Sequence, residues 1–499
     1  MAERIADEEL FRSLVGRAVA DPATQSAVLS DASHQCAYPD IPGVLERIGR
    51  ALSSRGVEPG HCLILEINNG VPAALTALAL LVAGFSFMPS PAAGRGARAG
   101  QASAARPRFA RWVVSVAPGT ASLAEVSEWL HVEPNDAFAE TAQAPPADRP
   151  RLFFRTSGSL GAAKLAAYTY RNFYRNALNA QRVRAFDPSD RIALPTPIYH
   201  VYGLGAGFLP GLMGGASIDF QDRSNVLRYL EREAEFQPNV AFMTPTFCEM
   251  LVRSRRSPRP YRYMITGGDC ISESTFKRCE DLHGTLIGQY GATELGVVSV
   301  GSVDDPYETR AAGVGRPLEG VEVRIVNLPA LRGHSDCGEL QVRHAYGFEG
   351  YVDLDGRSLV PPNAFDDGWY RTGDLASMSD RGNLRIHGRC DLSVNRNGML
   401  LPLAEVESRM RELDGVEEVA VVTADSETMR GKALVAFCVV GRRNSPSGQE
   451  LRTRFAQRVA AFSVPDVVRV VAALPKLESG KVDRRALSAL ALQPDAASA

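Results

Sequence analysis

Short apolar segments alternate with stretches of helical periodicity through the middle of this chain, from about residue 150 onward. The apolar segments read "RLFF" at 151–154, "RIALP" at 191–195, "NVAFMT" at 239–244 and "YRYMITGG" at 261–268. Strands that alternate with helices in this way are typical of βα units, in which crossover helices connect parallel strands. The sequence therefore predicts an α/β fold built on a largely parallel sheet.

Two changes of pattern follow this region. Between residues 310 and 387, glycine and aspartate separate the strand-like segments "VEVRIVN", "GELQVR" and "GNLRIHG". This spacing predicts an antiparallel sheet or a distorted β-barrel. Beyond Gly388, two amphipathic helical segments alternate with three strand-like segments, which predicts a compact α+β domain.

The chain has 499 residues, more than a single hydrophobic core usually serves. We therefore predict a large N-terminal domain of βα sheets plus a distorted β-barrel, and a small mobile α+β C-terminal domain. The predicted boundaries are 1–388 for the large domain, 389–392 for a hinge, 393–490 for the small domain and 491–499 for a tail.

Charge and cysteine usage restrict the partners. The formal net charge of -2 gives no long-range positive field for nucleic acid or for an anionic membrane, so a small-molecule partner is expected. The 8 cysteines form no CxxC pair and no cluster with histidine, so neither a disulfide framework nor a zinc site is predicted. No signal peptide is visible at the amino terminus, and the reducing cytoplasm is the expected compartment.

One apolar run, "VPAALTALALLVAGFSFM" at 71–88, approaches the length of a membrane span. It contains proline, threonine, glycine and serine, so we predict a buried helix rather than a span. Asn68 or Asn69 is the expected N-cap, and Gly84 is the expected end before a short strand.

The segment "RTSGSLGAAK" at 155–164 combines small residues, hydroxyl groups and one lysine. Glycine lets backbone amides approach a ligand closely, and hydroxyls and a lysine reinforce an anion site. The spacing is not that of a Walker loop, because Lys164 precedes an extended "LAAYT" and the next helix begins near its cap, Thr169. The segment is predicted as strand, loop, strand that binds phosphate, with a simple tight hairpin as the alternative.

Four further motifs follow in a fixed order. They are "GQYGATELG" at 288–296, "YRTGDLA" at 370–376, "GRCDLSVNRNG" at 388–398 and "PKLESGKVDRR" at 475–485. With the opening loop, the sequence resembles the adenylate-forming superfamily of acyl- and aryl-CoA synthetases, nonribosomal adenylation domains and firefly luciferase. The resemblance implies attack of a carboxylate on the α-phosphate of ATP, release of pyrophosphate, and transfer of the acyl group to the phosphopantetheine thiol of CoA or a carrier protein.

The resemblance also implies which residues bind ATP. They are Thr156, Ser157, Gly158, Ser159, Gly161, Lys164, Gly268, Asp269, Gln289, Tyr290, Gly291, Ala292, Thr293, Asp374, Arg389 and Lys481. Three loop positions depart from the family pattern, because Leu160, Ala163 and Leu165 stand where threonine, proline and glycine are usual. One hydroxyl donor is therefore missing and the stiffness of the loop is altered.

Individual roles are implied for the strongest matches. Tyr290 would stack on adenine, Thr293 would donate to the α-phosphate, and Glu294 would hold Mg²⁺, which prefers carboxylate and phosphate oxygens. Asp374 would bind the ribose hydroxyls, and Arg389 would reach ribose and phosphate. The implied catalytic residues are Lys481, Thr293, Glu294 and His200.

The C-terminal motifs imply a moving domain. Asp391 falls on the hinge position, and Gly398 would let the phosphopantetheine arm pass close to the backbone. Lys481 would bridge the attacking carboxylate and the α-phosphate as charge redistributes. Leu392 and Asn395 replace the second acidic residue and the lysine that are common in the hinge motif.

The acid pocket is implied by "PIYHVYGLGAGFLPGL" at 197–212, which resembles acyl- and aryl-CoA synthetases. It lacks the aspartate with which amino-acid activators bind an ammonium group, so an aryl or medium acyl acid is expected. In "TGGDC", Asp269 replaces the usual alanine and would contact either the adenine amino group or the substrate. The implied substrate-binding residues are His200, Tyr202, Gly203, Gly267, Gly268, Gly288 and Gly291.

Three functions remain open on the sequence. The first is an acid-thiol ligase, with any carrier protein expected to act in trans because no carrier-protein serine motif fits after residue 490, where the chain reads "LQPDAASA". The second uses the adenylate for amide, lactone or nitrogen-oxyacid chemistry. The third is a non-catalytic nucleotide-binding homologue, which has no physical reason to keep Glu294, Asp374, Arg389 and Lys481 together.

Overall fold

The computed structural model describes residues 9–92, 105–145, 149–156, 164–221, 225–255, 257–327, 337–359, 365–396, 399–428, 431–441, 446–476 and 482–492. The chain divides into two compact units. The first comprises Met1–Glu322 with Arg343–Phe365, and the second comprises Val323–Val342 with Asp366–Ala499.

The described α-helices occur in both units. They are α1 (Leu10–Ala20), α2 (Ile41–Ser54), α3 (Val71–Ala83), α4 (Val126–Trp129), α5 (Tyr170–Arg184), α6 (Leu209–Gly214), α7 (Val226–Phe236), α8 (Pro245–Ser254), α9 (Glu273–His283), α10 (Tyr307–Ala312), α11 (Leu403–Arg411), α12 (Gly448–Ala456) and α13 (Arg484–Ala491). A π-helical segment, Tyr202–Phe208, precedes α6. No described helix has the length and apolarity needed to cross a membrane.

The described strands form four sheets. In chain order they are β1 (Val28–Ser30), β2 (Gln35–Ala37), β3 (Cys62–Ile67), β4 (Ser86–Pro91), β5 (Trp112–Val116), β6 (Leu130–Pro134), β7 (Arg151–Arg155), β8 (Leu165–Thr169), β9 (Arg191–Leu194), β10 (Ser217–Phe220), β11 (Val240–Met243), β12 (Tyr263–Thr266), β13 (Leu286–Ala292), β14 (Gly296–Val300), β15 (Arg316–Pro317), β16 (Val321–Val326), β17 (Gly338–His344), β18 (Gly350–Val352), β19 (Ser358–Leu359), β20 (Phe365–Asp366), β21 (Trp369–Met378), β22 (Leu384–Arg389), β23 (Ser393–Arg396), β24 (Met399–Pro402), β25 (Val416–Thr428), β26 (Gly431–Val440) and β27 (Val467–Val470).

Two mixed sheets build the first unit. One has nine strands in the order β15-β14-β13-β12-β11-β9-β10-β1-β2, and its central strands β9 to β13 run parallel. The other has eight strands in the order β19-β18-β8-β7-β4-β3-β5-β6, with β4 parallel to both β3 and β7. The four apolar segments of the sequence are strands β7, β9, β11 and β12, which confirms the predicted α/β class.

The ends of helices α5 and α3 can be compared with the capping residues that the sequence predicted. Thr169 caps α5 as predicted, since its side chain accepts a hydrogen bond from Asn172 N. The buried helix α3 ends at Gly84 in the left-handed conformation, also as predicted. The prediction of an Asn68 or Asn69 cap is wrong, because the N-cap is Gly70 and the first helical amide, Val71 N, donates to Asp31 Oδ2 at 2.7 Å. A distant carboxylate supplies the acceptor that the local sequence was expected to supply.

Asn69 instead joins the two sheets of the first unit. Its Nδ2 donates to Leu194 O, Thr196 O and Gln221 O at 3.0, 3.1 and 3.0 Å, and its Oδ1 accepts from Ile198 N at 2.9 Å. Asn69 follows β3 of one sheet, whereas its partners follow or end β9 and β10 of the other. Because ligands of open α/β sheets bind beyond the carboxyl ends of strands, this side chain orders a region where a site is expected.

Two smaller sheets lie mainly in the second unit. Strand β21 pairs antiparallel with β17 and with β22, which confirms the predicted antiparallel sheet. Strands β23 to β27, with α11, α12 and α13, form the α+β part that was predicted beyond Gly388. The hinge at 389–392 and the limits of the predicted domains stay predictions.

A buried ion pair holds the α+β part together. Arg396 is 0% exposed, and its Nη2 donates to both carboxylate oxygens of Asp466 at 2.9 and 3.0 Å. Its Nη1 donates to Val464 O at 2.9 Å, and Asp466 Oδ2 also accepts from Leu434 N at 2.8 Å. The pair thus connects β23 to β26 and to the segment that precedes β27.

Replacing Asp466 by alanine should destabilise this part of the chain by about 3–5 kcal/mol, because a buried guanidinium would lose its counter-charge. Native-state hydrogen exchange of the β23 and β26 amides measures the loss locally. The control is Glu405→Ala, which breaks the exposed pair of Glu405 with Arg409 (side chains 48% and 52% exposed) and should cost less than about 1 kcal/mol. Equal effects of the two variants would contradict the assigned importance of the buried pair.

Candidate active site

The opening loop joins two antiparallel strands, β7 and β8, as predicted. Thr156 and Lys164 lie at the two ends of the loop, and Thr156 N and Thr156 Oγ1 donate to Lys164 O at 3.4 and 3.5 Å. Ser157, Gly158, Ser159 and Gly161 lie outside the described residues. Leu165, which stands where the family pattern has glycine, is 0% exposed in an apolar cluster with residues such as Phe153. Packing of β8 therefore accounts for that departure.

Lys164 and Glu294 meet the same aromatic side chain. The Lys164 Nζ lies 4.1 Å from the centre of the Tyr351 ring, within the range of a cation–π interaction. The Tyr351 hydroxyl donates to Glu294 Oε1 at 2.6 Å. Strand β18 carries Tyr351 and pairs with β8, where Tyr351 lies opposite Ala166. The sequence analysis missed Tyr351, because nothing in its local sequence distinguishes it from an ordinary strand residue.

Thr293 and Glu294 occupy a tight turn, residues 293–295, between the antiparallel strands β13 and β14. Gly296 follows the turn at a φ of 65°, a left-handed conformation that glycine adopts without steric cost. A side chain there would also meet Asn176 Oδ1 at 2.5 Å. The turn is fixed from outside by Tyr168, whose hydroxyl donates to Thr293 O at 2.8 Å.

The glycines around Tyr290 are required by close backbone packing. A Cβ at Gly291 would lie 2.2 Å from Gly296 O, and one at Gly288 would lie 2.6 Å from Gly313 O. Tyr290 itself is 9% exposed at a bulge near the end of β13, and Ala292 ends that strand. The roles of these residues toward adenine and the acid stay predictions.

The predicted acid-binding residues lie in and beside the π-helical segment Tyr202–Phe208. Such π-type turns occur frequently at functional sites, and this one was not foreseen from the sequence. Gly203 is required there, because a Cβ would lie 2.1 Å from Pro197 O. His200, just before the segment, is exposed, and its ring centre lies 4.6 Å from that of Tyr199.

Tyr202 and Gly267 bring the π-helical segment against the sheet. The Tyr202 hydroxyl donates to Met243 O at 3.1 Å, and a Cβ at Gly267 would lie 3.5 Å from Tyr202 Cζ and 3.0 Å from Gln289 O. Strand β12 ends just before Gly267, so the wall combines the carboxyl ends of neighbouring strands with the helix. The predicted acid-binding residues Tyr202 and Gly267 therefore lie close together, and their binding of the acid stays a prediction.

Asp269 lies exposed beside Gly268, which has a φ of 93°. The Asp269 Oδ1 accepts a hydrogen bond from Cys270 N at 2.8 Å. The second oxygen of the carboxylate accepts no hydrogen bond from the described residues, and these contacts select neither predicted partner, adenine or acid.

Asp374, Arg389 and Asp391 cluster in the second unit. Arg389 Nη1 lies 3.2 Å from Asp374 Oδ1, and Arg389 Nε lies 3.2 Å from Asp391 Oδ1. Burial opposes the charge on Arg389, but the two carboxylates outweigh it and raise the pKa of the guanidinium above its ordinary value. Gly373, at a φ of 71°, makes room for this arginine, since a Cβ there would lie 2.8 Å from Arg389 Nη2. The structure thus brings the three residues together, and their roles toward ribose and at the hinge stay predictions.

Two predicted residues of the second unit, Gly398 and Lys481, lie outside the described residues. Asn395 belongs to β23, and Leu392 packs against the core of the α+β part. Leu392 therefore has a packing role at the position where the family pattern has a second acidic residue.

Comparisons with known proteins agree with this geometry. The family model of the AMP-binding enzymes matches residues 17–352, and that of the AMP-binding enzyme C-terminal domain matches residues 405–481. Pyochelin synthase PchD of Pseudomonas aeruginosa (strain UCBPP-PA14) is 26% identical over 96% of this chain and 92% of its own length. A salicylyl-CoA synthase / salicylate adenylyltransferase of a Streptomyces species is 27% identical over 87% of this chain and 85% of its own.

Solved structures share the fold. ATP-bound MatB from Rhodopseudomonas palustris superposes with a TM-score of 0.77 at 23% identity, covering 97% of this chain and 98% of that one. The o-succinylbenzoate CoA synthetase (MenE) from Bacillus subtilis, in complex with the acyl-adenylate intermediate OSB-AMP, gives the same TM-score of 0.77 at 19% identity over 97% and 98%. The chain therefore belongs to the AMP-binding enzyme family and is an ATP-dependent, adenylate-forming acid-thiol ligase.

Proposed function

We propose that this ligase activates an aryl or medium acyl acid and passes the acyl group to the phosphopantetheine thiol of CoA or of a carrier protein acting in trans. The observation that carries the proposal is the position of Tyr351 between Lys164 and Glu294. Lys164 closes the predicted phosphate loop, and Glu294 is the predicted magnesium ligand. One side chain therefore keeps the cation and the carboxylate that a Mg²⁺-bound triphosphate needs within reach of common phosphate oxygens.

Glu294 suits a magnesium ion that is shared with phosphate. Its Oε1 accepts from Tyr351, whereas its Oε2 has no hydrogen-bond partner among the described residues. Mg²⁺ is usually bound by one or two carboxylates together with substrate phosphates and water. The bound ion would neutralise charge on the triphosphate. Tyr351 keeps the carboxylate oriented toward that position, and the tight turn keeps Thr293 beside it for the α-phosphate.

The ribose is proposed to bind in the second unit at Asp374 and Arg389. A carboxylate can accept hydrogen bonds from both ribose hydroxyls, and Arg389 stays cationic because Asp374 and Asp391 raise its pKa. Arg389 Nη1 also donates to Thr372 O at 2.8 Å, which fixes the guanidinium plane. The pair thus offers one acceptor and one cation in a fixed relative orientation.

The nature of the acid pocket supports an aryl or acyl substrate. Its predicted lining of His200, Tyr202, Gly203 and Gly267 contains no carboxylate for an ammonium group. The Streptomyces relative is named a salicylyl-CoA synthase, and a structural neighbour is an anthranilate CoA ligase in complex with anthranoyl-AMP. Both names refer to aromatic acids, which agrees with this proposal for the present chain.

Lys481 is proposed as the catalytic cation and Asp391 as the hinge. An ammonium that contacts both the attacking carboxylate and the α-phosphate stabilises the charge that develops in the transition state. After adenylation, rotation about the hinge would withdraw Lys481 and admit the thiol past Gly398. The two steps would then use one pocket in succession.

A cytoplasmic location is also proposed. The 8 cysteines of the chain are all free thiols, and most of them are buried. Proteins of reducing compartments keep their cysteines in this state.

Pyrophosphate release tests the reaction. Wild-type protein is incubated with ATP, Mg²⁺ and a panel of aryl and acyl acids, with and without CoA. We expect acid-dependent release with at least one acid, and a thioester when CoA or a phosphopantetheinylated carrier is added. Lys481→Ala should reduce release by about 100-fold or more and leave ATP binding largely unchanged.

The matched control for this variant is Lys476→Ala. Lys476 lies on the same segment, and its Nζ forms an exposed ion pair with Glu418 at 2.9 Å. Its removal should leave pyrophosphate release unchanged. Normal release by Lys481→Ala would refute the role of Lys481, and release with no thioester on either thiol would refute the acid-thiol step.

Tyr351→Phe tests the arrangement around Glu294. The variant keeps the ring under Lys164 but removes a hydrogen bond to a charged group, which is worth about 1.5–3 kcal/mol. We expect kcat/KM for pyrophosphate release to fall about tenfold or more, with a higher Mg²⁺ requirement. Tyr346→Phe is the control, because the Tyr346 hydroxyl makes no hydrogen bond to the described residues. An unchanged Mg²⁺ titration in Tyr351→Phe would be evidence against the proposed role.

Asp269→Ala separates the two roles predicted for Asp269. If the carboxylate accepts from the adenine amino group, KM for ATP rises and KM for the acid stays constant. We expect this outcome, because Asp269 is also implied in the ATP-binding set. A rise in KM for the acid alone would instead assign Asp269 to the substrate.

A further inference from the structure

A buried arginine that has no counter-ion among the described residues contacts the segments that carry the predicted acid-binding residues. Arg184, the last residue of α5, is 6% exposed, and no carboxylate of the described residues lies within ion-pair distance of it. Its Nη1 donates to Ala206 O and its Nη2 donates to Gln289 Oε1. Its guanidinium carbon lies 5.1 Å from the centre of the Phe242 ring.

These neighbours do not neutralise the charge. A guanidinium has five N–H donors, and the two bonds above use one each at Nη1 and Nη2. The buried Nε has no hydrogen-bond partner among the described residues. Carbonyl and amide oxygens, and the carboxyl end of α5, supply only partial negative charge. Burial lowers the pKa of Arg184 to about 10, so the group remains cationic at neutral pH.

Arg184 contacts both segments that are predicted to form the walls of the acid pocket. Ala206 belongs to the π-helical segment that also carries Tyr202 and Gly203. Gln289 precedes Tyr290 on β13, and because side chains alternate along a strand, its side chain faces away from the predicted adenine side. The backbone of the same residue is close to Gly267, because a Cβ at Gly267 would lie 3.0 Å from Gln289 O. Arg184 therefore joins the π-helical wall to the strand wall behind the predicted acid-binding glycines.

We propose that Arg184 makes this enzyme select acids that carry a second anionic oxygen group, a carboxylate or a sulfonate, at the end remote from the reacting carboxylate. The inference rests on the proposed function, since it takes the acid to lie between Tyr202 and β13. The Nε–H, which has no partner among the described residues, and the N–H groups left unused at Nη1 and Nη2 are the donors available to the oxygens of such a group.

Selectivity follows from the cost of an unpaired buried charge. A distal anion compensates the desolvated guanidinium, whereas a monoacid of the same length leaves it unpaired and adds an apolar group beside it. Sites built for a polar substrate group discriminate strongly against analogues that lack the group. Arg184 is thus a specificity-determining residue, and it does not take part in the attack on ATP.

Matched pairs of acids test the inference. Pyrophosphate release is measured with benzoate against terephthalate and with hexanoate against adipate. An additional arm with 4-sulfobenzoate distinguishes a sulfonate from a carboxylate. We expect kcat/KM of the wild type to favour the doubly anionic acid at least about tenfold in one pair, and Arg184→Met to abolish that preference with KM for ATP unchanged.

Arg191→Met is the matched control. Arg191 begins β9 of the same sheet, donates from Nε to Phe236 O at 2.7 Å and lies 4.2 Å from the centre of the Phe236 ring. It has the same kinds of contact as Arg184 but no link to the predicted pocket, so this variant should keep the preference. Arg184→Lys, which retains charge without the forked geometry, should give an intermediate preference. A wild type that favours the monoacid in both pairs, or an Arg184→Met variant that keeps the diacid preference, overturns the inference.

A binding experiment distinguishes a failure of the proposed function from a failure of this inference. If no acid supports pyrophosphate release, calorimetric titration of terephthalate and adipate into the wild type and Arg184→Met tests the arginine directly. Binding to the wild type that is lost in the variant supports the inference, and no binding to the wild type overturns it. Circular dichroism checks the fold of each variant. If Arg184→Met and Arg184→Lys both unfold, the wild-type preference within the matched pairs decides.

Discussion

Three hydrogen bonds that fix the turn of residues 293–295 determine the geometry on which the proposed chemistry depends. The Tyr168 hydroxyl donates to Thr293 O, Phe348 N donates to Glu294 O, and the Tyr351 hydroxyl donates to the Glu294 carboxylate. The turn belongs to the nine-stranded sheet, whereas Tyr168 and Tyr351 belong to the eight-stranded sheet that carries the phosphate loop. These bonds therefore fix the predicted magnesium ligand relative to the sheet that carries Lys164.

The same region is ordered at a second point by Asn69. Its side chain satisfies backbone groups of Leu194, Thr196, Ile198 and Gln221, so the segment that leads to His200 and Tyr202 is fixed relative to β3. The predicted nucleotide-binding and acid-binding residues of the first unit therefore both lie where strand ends of two sheets meet. Buried polar groups that are satisfied in this way contribute to a single defined arrangement.

The positive charges of two buried arginines, Arg396 and Arg184, are compensated to different degrees. Arg396 is neutralised by the bidentate carboxylate of Asp466, and its role is structural. Arg184 has a carbonyl and an amide oxygen as partners but no carboxylate among the described residues. A buried charge without a counter-ion, such as that of Arg184, is costly unless a ligand compensates it. This cost is the basis of the substrate selection that we propose for Arg184.

Local sequence patterns predicted most of the strands and helices that were named from the sequence. They contain no information on contacts between residues that are far apart in the chain. The strands β7, β9, β11 and β12 and the Thr169 cap follow from periodicity and capping rules. The motifs singled out Thr293 and Glu294, but the turn that carries them was not predicted. The cap of α3 was predicted wrongly because Asp31, 40 positions away from Val71, supplies the acceptor.

Tyr351 and Arg184 were missed for the same reason. Tyr351 reaches Glu294 across 57 positions, and Arg184 reaches Gln289 across 105 positions. Neither contact leaves a local signal in the sequence, because each side chain stands in an ordinary strand or helix. The roles of the residues at 157–161, of Gly398 and of Lys481 rest on motifs and stay predictions.

Transfer of oxygen from the acid to AMP is the most direct test of the central claim that a carboxylate attacks the α-phosphate of ATP. The acid that gives the fastest pyrophosphate release is labelled with ¹⁸O in its carboxylate, the reaction is run to thioester, and AMP is analysed by mass spectrometry. Attack on the α-phosphate predicts AMP that carries one ¹⁸O atom. Unlabelled AMP formed together with thioester would show that the acid is activated by another route and would contradict this account.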